Sequence, residues 1–278
     1  MRYEAISPAE WERLEGAEHD RIYSGSSPFF FSDEHIDPAK VLVWEDYCYK
    51  QGRRRDRGHR TKRLFELMGV PRLHGKKILD VSCGNGQYAV LFAMLGADVE
   101  AFDISPVGVE RGGRIAAANG VADRCRFTVQ NASSMQYPDA TFNIVVFHEV
   151  LHQAVKYPNV REETLRVLKP GGIAVCAESL RGNVLLDLAR KVTMRGGEAK
   201  GDVILEIADF ETFAEGFSDY RLETMSLLFM AKRMLQGQVH RGAVRSFLRL
   251  LKSTDDVLLS AFPGLSRYCG ECVAVFRK

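Results

Sequence analysis

The chain has 278 residues, 46% of them apolar, and 38 basic against 36 acidic side chains leave a formal charge of +2. Such a composition can bury one large core, and it excludes a global field aimed at nucleic acid or an anionic membrane, so any preference of that kind has to be local. No apolar run is long enough to cross a bilayer, and the opening stretch MRYEAISPAEWERLEG lacks the apolar centre of a secretion signal, so a cytoplasmic location is expected.

In chain order, residues 1–72 read as a helical N-terminal extension around an aromatic loop, SSPFFFSDEH. Within it, QGRRRDRGHRTKR at 51–63 is a concentrated basic run, either a solvated helix face or a seat for RNA or another anionic partner. From KKILDVS onward, short apolar runs alternate with helical stretches, the pattern of a parallel sheet flanked by helices. KKILDVS leads to a helix through QYAVLFAMLG, and ADVEAFDIS to one from Pro106 through GVERGGRIAAANG. CRFTVQNA runs to the turn YPDAT; FNIVVFHEV then precedes a helix through NVREETLRVL, the break KPGG and the run IAVCAES. After Ser179 a helical pattern dominates in GNVLLDLARKV, in ADFETFAEG, which leads to a sixth strand, and from Met230 to Leu259. CGECVAVFRK closes the series as a last strand.

The six cysteines, Cys48, Cys83, Cys125, Cys176, Cys269 and Cys272, are scattered, which favours reduced thiols over a disulfide framework. Only Cys269 and Cys272 have metal-like spacing. In a strand, positions three apart point to opposite faces, so no metal site is expected there.

The turn SCGNGQ after the first strand is where a parallel sheet of this kind binds ligands, and Gly84 and Gly86 allow close backbone approach. Asp103, seventeen residues past Gly86 and at the end of the next strand, is placed to accept hydrogen bonds from a ribose diol. A nicotinamide dehydrogenase would share both features, because Ala89 is an allowed variant of its third glycine, but no Tyr-x-x-x-Lys pair occurs.

With FHEVLHQ after the fourth strand and RVLKPGG before the fifth, residues 64–180 resemble the class I S-adenosylmethionine-dependent methyltransferases, of the small-molecule type. The resemblance implies a Rossmann-like, doubly wound, seven-stranded and mostly parallel α/β sheet with an antiparallel last strand. It divides the chain into a 1–72 cap and a 73–278 methyltransferase domain with a cofactor core at 76–180. Helical cap elements are expected at about 181–208 and 230–264, and the last strand at 267–277. It implies S-adenosyl-L-methionine as cofactor and S-adenosyl-L-homocysteine as product, held by Asp80, Ser82, Gly84, Gly86, Asp103, Ile104, Asn131, Ala132 and Phe147. Ser82 departs from the family's glycine: its hydroxyl contacts the cofactor, or it is a strained substitute. Asn131 stands where an acid is common and still offers an acceptor oxygen. A protein that keeps the fold without catalysis is a further alternative, supported only by Ser82 and Asn131.

Methyl transfer asks mainly for placement, and a base is needed only where the acceptor atom carries a proton. His148 and His152 are the candidate bases. The Asn/Asp-Pro-Pro-aromatic signature of nucleobase amino-group enzymes is replaced by FHEV, which argues against a nucleic-acid acceptor and leaves RNA- or protein-directed transfer through residues 51–63 as the alternative. Phe29, Phe30 and Phe31, with the insertion after Met230, are expected to wall an apolar acceptor pocket, or alternatively to form a homodimer contact. These flanks are expected to serve the acceptor and not the cofactor.

Overall fold

The computed structural model describes residues 7–26, 34–39, 58–186, 204–235, 238 and 241–278. Phe29 to Phe31, Tyr47, Cys48, Tyr49, residues 51–57 of the basic run and most of the helix expected after Gly182 lie outside them.

Seven strands form one sheet: β1 (Lys77–Val81), β2 (Asp98–Asp103), β3 (Cys125–Val129), β4 (Phe142–His148), β5 (Leu168–Ser179), β6 (Asp219–Met225) and β7 (Glu271–Arg277). Their order is β3-β2-β1-β4-β5-β7-β6. The first five run parallel and β7 is antiparallel to both neighbours, the topology the resemblance implied. Strands in the centre of such a sheet are buried on both faces, which is why IVVF reads as a continuous apolar run and ILDV is buried throughout, Asp80 included.

Alternation along each strand separates two cores. Leu79, Val81, Phe147, Cys176 and Cys272 face one side, and Ile78, Val146, Val175, Ala177 and Val273 face the other. The second side is covered by α2 (Gly58–Met68) and by α3 (Gln87–Met94), which carries five consecutive buried residues from Ala89 to Ala93. The polar helix α1 (Pro8–Arg21) sets only Trp11 against the first core. Helix α4 (Pro106–Ala118) is started by Pro106 and capped by Ser105, whose hydroxyl accepts the Gly108 N–H.

Two local expectations are corrected. KPGG is not a gap before the fifth strand: β5 already pairs at Leu168 with Phe142, and Lys169–Gly172 bow out before pairing resumes at Ile173 with Ile144. Gly171 there has φ 72°, and a Cβ on Gly172 would stand 2.9 Å from the Lys169 carbonyl oxygen. The helix expected from Met230 to Leu259 is a 3-10 turn at Phe229–Arg233 and a separate helix α8 (Gly242–Ala261). Between α4 and α8 in sequence come α5 (Leu151–Ala154), α6 (Val160–Val167) and α7 (Ile207–Phe213). Among the described residues no helix is long and apolar enough to cross a membrane, and no group of three or more His, Cys, Asp or Glu side chains could hold a metal.

Candidate functional site

At the carboxyl end of β1 the chain must turn within a few residues to start α3. Ser82, Gly84 and Gly86 all take left-handed backbone, with φ of 50°, 59° and 72°. A non-glycine residue is disfavoured there, so Ser82 carries the strain of a glycine position. The Gly84 N–H donates to Asp103 Oδ2 at 2.9 Å, and the Ser105 N–H donates to Asp103 Oδ1 at 2.9 Å. Asp103 is therefore fixed at the end of β2 with its carboxylate buried. Burial, then the charge of Asp103, push Asp80 up to about 7, against the pull of the Ala89 N–H.

The two glycines have different reasons. A Cβ on Gly84 would meet the Tyr23 hydroxyl at 2.7 Å, so the missing side chain leaves a cradle beside the turn that the Tyr23 ring fills in this structure. A Cβ on Gly86 would lie 2.3 Å from the Phe127 ring and 3.0 Å from the Gly112 Cα; here close approach is between helix and sheet, not to a ligand.

The N-terminal helix lies across this cradle, so the extension, expected to serve the acceptor, meets residues expected to hold the cofactor. His19 Nδ1 stands 3.5 Å from Asp103 Oδ1. Ser105 Oγ donates to Asp20, and Asn131 Nδ2 donates to Glu12 at 2.9 Å. Lys156 and the Tyr157 hydroxyl both donate to Glu15. Ser82, Ile104, Asn131, Ala132, Gln153 and Tyr157, with Glu15 and His19, line a cavity of about 20 Å³, room for about one water. The carboxylate at Asp103, the glycine cradle and the amide at Asn131 fit the ribose, amino-acid and adenine parts of an adenosylmethionine. Room for it requires the α1 side chains to move. Hydrogen exchange across residues 8–26 is thus expected to change when S-adenosylhomocysteine binds; identical protection with and without it would show that α1 stays put.

The two candidate bases, His148 at the end of β4 and His152 in α5, lie on different faces of the sheet. His148, on the α2 side, shares a hydrogen bond of 2.9 Å with Thr61 and sets its ring 4.5 Å from that of Tyr88, tilted by 60°. Burial, reinforced by the positive charge of Arg60, holds it down to about 3, and His59 is held to about 4 by burial with Lys232 and Lys252. Both rings are neutral from pH 8 to about 5, so their ring-proton shifts should stay flat there; an inflection near 6.5 would contradict this. The unfolded chain would protonate both rings near 6.5, so their burial costs stability as the pH falls through the window from about 6.5 to their folded values. His152, on the other face, has Nδ1 3.0 Å from Oε2 of buried Glu178, and its backbone N–H donates to Oε1 of the same carboxylate at 3.4 Å.

Where it is described, the basic run forms a solvated face only in part, with Lys62 exposed. Arg60 is wholly buried and ion-paired with Glu149, and Arg63 is bonded to Glu223 of β6 at 2.6 Å. Phe147 places its ring in the core, 5.8 Å from Phe213, and not in the cavity. Sequence reasoning missed Glu178, Glu271, Lys232 and Arg233, all buried. The signal was present in AES and CGEC, where a charged residue stands at the end of an otherwise apolar run.

The family model for a methyltransferase domain matches residues 73–219. Among curated proteins, 27-O-demethylrifamycin SV methyltransferase of Amycolatopsis mediterranei (strain S699) is 36% identical over 115 residues, 40% of this chain and 42% of that protein. Demethylmenaquinone methyltransferase of Symbiobacterium thermophilum is 36% identical over 108 residues, 38% of this chain and 43% of that protein. The chain thus spans less than half the length of either. Two solved structures share the fold over nearly the whole chain. The [4+2]-cyclase SpnF has a TM-score of 0.57 at 19% identity and covers 95% of this chain and 94% of its own. Geranyl diphosphate C-methyltransferase from Streptomyces coelicolor A3(2) has a TM-score of 0.57 at 13% identity, with 98% of each chain covered. With the matched family spanning β1 to the start of β6 and the glycine turn and Asp103 inside it, the chain belongs to the methyltransferase domain family, class I and S-adenosylmethionine-dependent.

Proposed function

We propose that the chain transfers the methyl group of S-adenosylmethionine to a small-molecule acceptor seated over the ends of β4 and β5. The observation that carries this reading is the buried Asp103 carboxylate, held by the Gly84 and Ser105 amides beside a glycine cradle. Asp103 would hold the ribose, the Ser82–Gly86 turn the amino-acid end, and Ile104, Asn131 and Ala132 the adenine. When bound, the cofactor supplies an already activated methyl on a sulfonium, so the chain's own work is placement and exclusion of water, which can provide roughly 7 to 11 kcal/mol of the barrier.

His152 is the residue we assign as base for a hydroxyl or acidic-carbon acceptor, because Glu178 fixes its ring through Nδ1. His148 is committed to Thr61 and too weakly basic for that task. The relatives named for rifamycin and menaquinone precursors support an acceptor of small-molecule size. We read residues 1–72 and 230–264 as the cap, the protein as cytoplasmic and free of nucleic-acid partners, and a homodimer as compatible with this cap.

Calorimetry with S-adenosylhomocysteine tests the reading. Asp103→Ala is expected to weaken binding by about 1.5 to 3 kcal/mol, the scale of a charge-assisted hydrogen bond. An unchanged dissociation constant would remove Asp103 from the site, and no binding to the unaltered chain would defeat the proposal.

A further inference from the structure

One face of α1 carries Glu12, Glu15, Gly16, His19 and Asp20 at helical spacing, and Tyr23 continues it into the tight turn Ile22–Ser26. All six meet the loops that follow β1 to β4. The Gly16 Cβ position lies 3.8 Å from the Ile104 carbonyl oxygen, so the helix backbone itself comes down on the end of β2. Asp20 Oδ1 accepts the Ser105 hydroxyl and, at 3.4 Å, the Val107 N–H at the start of α4. The Tyr23 ring enters between the glycine turn and α4. A Cβ on Gly108 would stand 2.7 Å from the Gly84 carbonyl oxygen and 2.9 Å from that ring, so glycine at both Gly84 and Gly108 is what admits it. Burial, then the charge of Asp103, raises the Tyr23 phenol well above its ordinary value, so it keeps its proton near that carboxylate.

We propose that the segment His19–Tyr23 is an internal stand-in for the cofactor: the two compete for one seat, and the chain takes up cofactor only from an open arrangement in which His19 and Tyr23 have left the turn. This competition presupposes the methyl-transfer reading and regulates the same site. The correspondence is chemical. His19 Nδ1 faces the carboxylate assigned to the ribose, the phenol fills the turn assigned to the amino-acid end, and Glu12 holds the amide assigned to the adenine. Contacts surrendered by one occupant are remade by the other with the same partners, so a single side chain can tip the choice, and the apparent affinity for cofactor is scaled down by the fraction of chains that stand open.

The segment is tethered at one end and jointed at the other. Trp11 packs on the first core with the Lys156 ammonium 4.5 Å over its ring, and Glu15 accepts from Lys156 and from the Tyr157 hydroxyl. Past Tyr23 the chain turns at Gly25, with φ 87°. Opening therefore displaces the last turn of α1 and the Tyr23 ring while the anchor at Trp11 holds.

Calorimetric titration of S-adenosylhomocysteine into the full chain and its variants tests this. Tyr23→Ala empties the turn and is expected to bind at least about fivefold more tightly than the unaltered chain, because the closed arrangement loses its occupant. Tyr23→Phe keeps the ring and should stay within about threefold, as should Arg13→Gln on the exposed side of α1. Circular dichroism checks that each variant is folded. Should Tyr23→Ala fail that check, His19→Ala releases the same segment from Asp103 and carries the same expected sign. Weaker or unchanged binding by the folded variant would overturn the proposal, and weaker binding by Tyr23→Phe as well would mark the phenol as a direct contact of the bound ligand. Failure of every form to bind S-adenosylhomocysteine would instead sink the methyl-transfer reading, whereas binding by the unaltered chain with no gain in Tyr23→Ala removes the stand-in alone.

Discussion

His152→Ala is expected to lower kcat by about 100-fold or more for an acceptor that must lose a proton, the lower end of what a positioned base contributes. Glu178→Gln should give a smaller loss with the same sign, because the glutamine still touches Nδ1 but cannot stabilise the imidazolium that forms. Transfer of a labelled methyl to small hydroxylated acceptors measures both, and S-adenosylhomocysteine affinity should stay within about threefold in each variant. An acceptor turned over at the unaltered rate by His152→Ala would show that no base is used.

Gly86→Ala should be the most damaging single methyl group in the cofactor core. The position requires φ 72°, and the added Cβ would collide with Phe127 and with the Gly112 backbone. Left-handed strain and overpacking together are expected to cost about 2 to 5 kcal/mol, a fall of roughly 5 to 15 °C in Tm for a domain of this size. Gly113→Ala is the control, since nothing lies within 4 Å of its Cβ position and it sits inside α4. That change should leave Tm level or raise it slightly. Equal melting of the two variants would mean that the packing between α4 and the glycine turn gives way cheaply.

What the sequence made legible was local. The turn at Ser82–Gly86 and the acid at Asp103 sit at strand ends, where chain direction alone dictates that a ligand can be met, and apolar runs buried on both faces marked the strands. What escaped depends on partners far along the chain. The stretch EWERLEGAEHDR reads as an ordinary polar helix, and only its packing brings Glu12 to Asn131 and His19 to Asp103. Arg60 stood among six other arginines and lysines at 51–63, so it read as surface; α2 turns that one residue inward, to groups 89 and 119 positions away. Glu271 looked like a strand charge between two cysteines until Lys232 and Ser226 were seen to close on it. KPGG was misplaced for a different reason: glycine and proline signal a break in pattern, but a bulge inside a continuous strand produces the same signal.

The insertion of β7 between β5 and β6 has a consequence for biosynthesis. Strand β6 pairs with β7 alone, so residues 219–225 have no neighbour until residues 271–277 have been made. At translation speeds of about 5 to 20 residues per second, the five parallel strands can condense while β6 waits several seconds with an open edge. Glu271 arrives with the same segment, and until then Lys232 lacks its counter-charge. A nascent chain can therefore assemble the edge around the glycine turn and Asp103 well before the edge where Lys232 meets Glu271. Pausing within the codons for residues 226–277 would expose β6 to pairing with another chain, and synonymous changes that slow that stretch should raise the insoluble fraction without altering the protein that does fold.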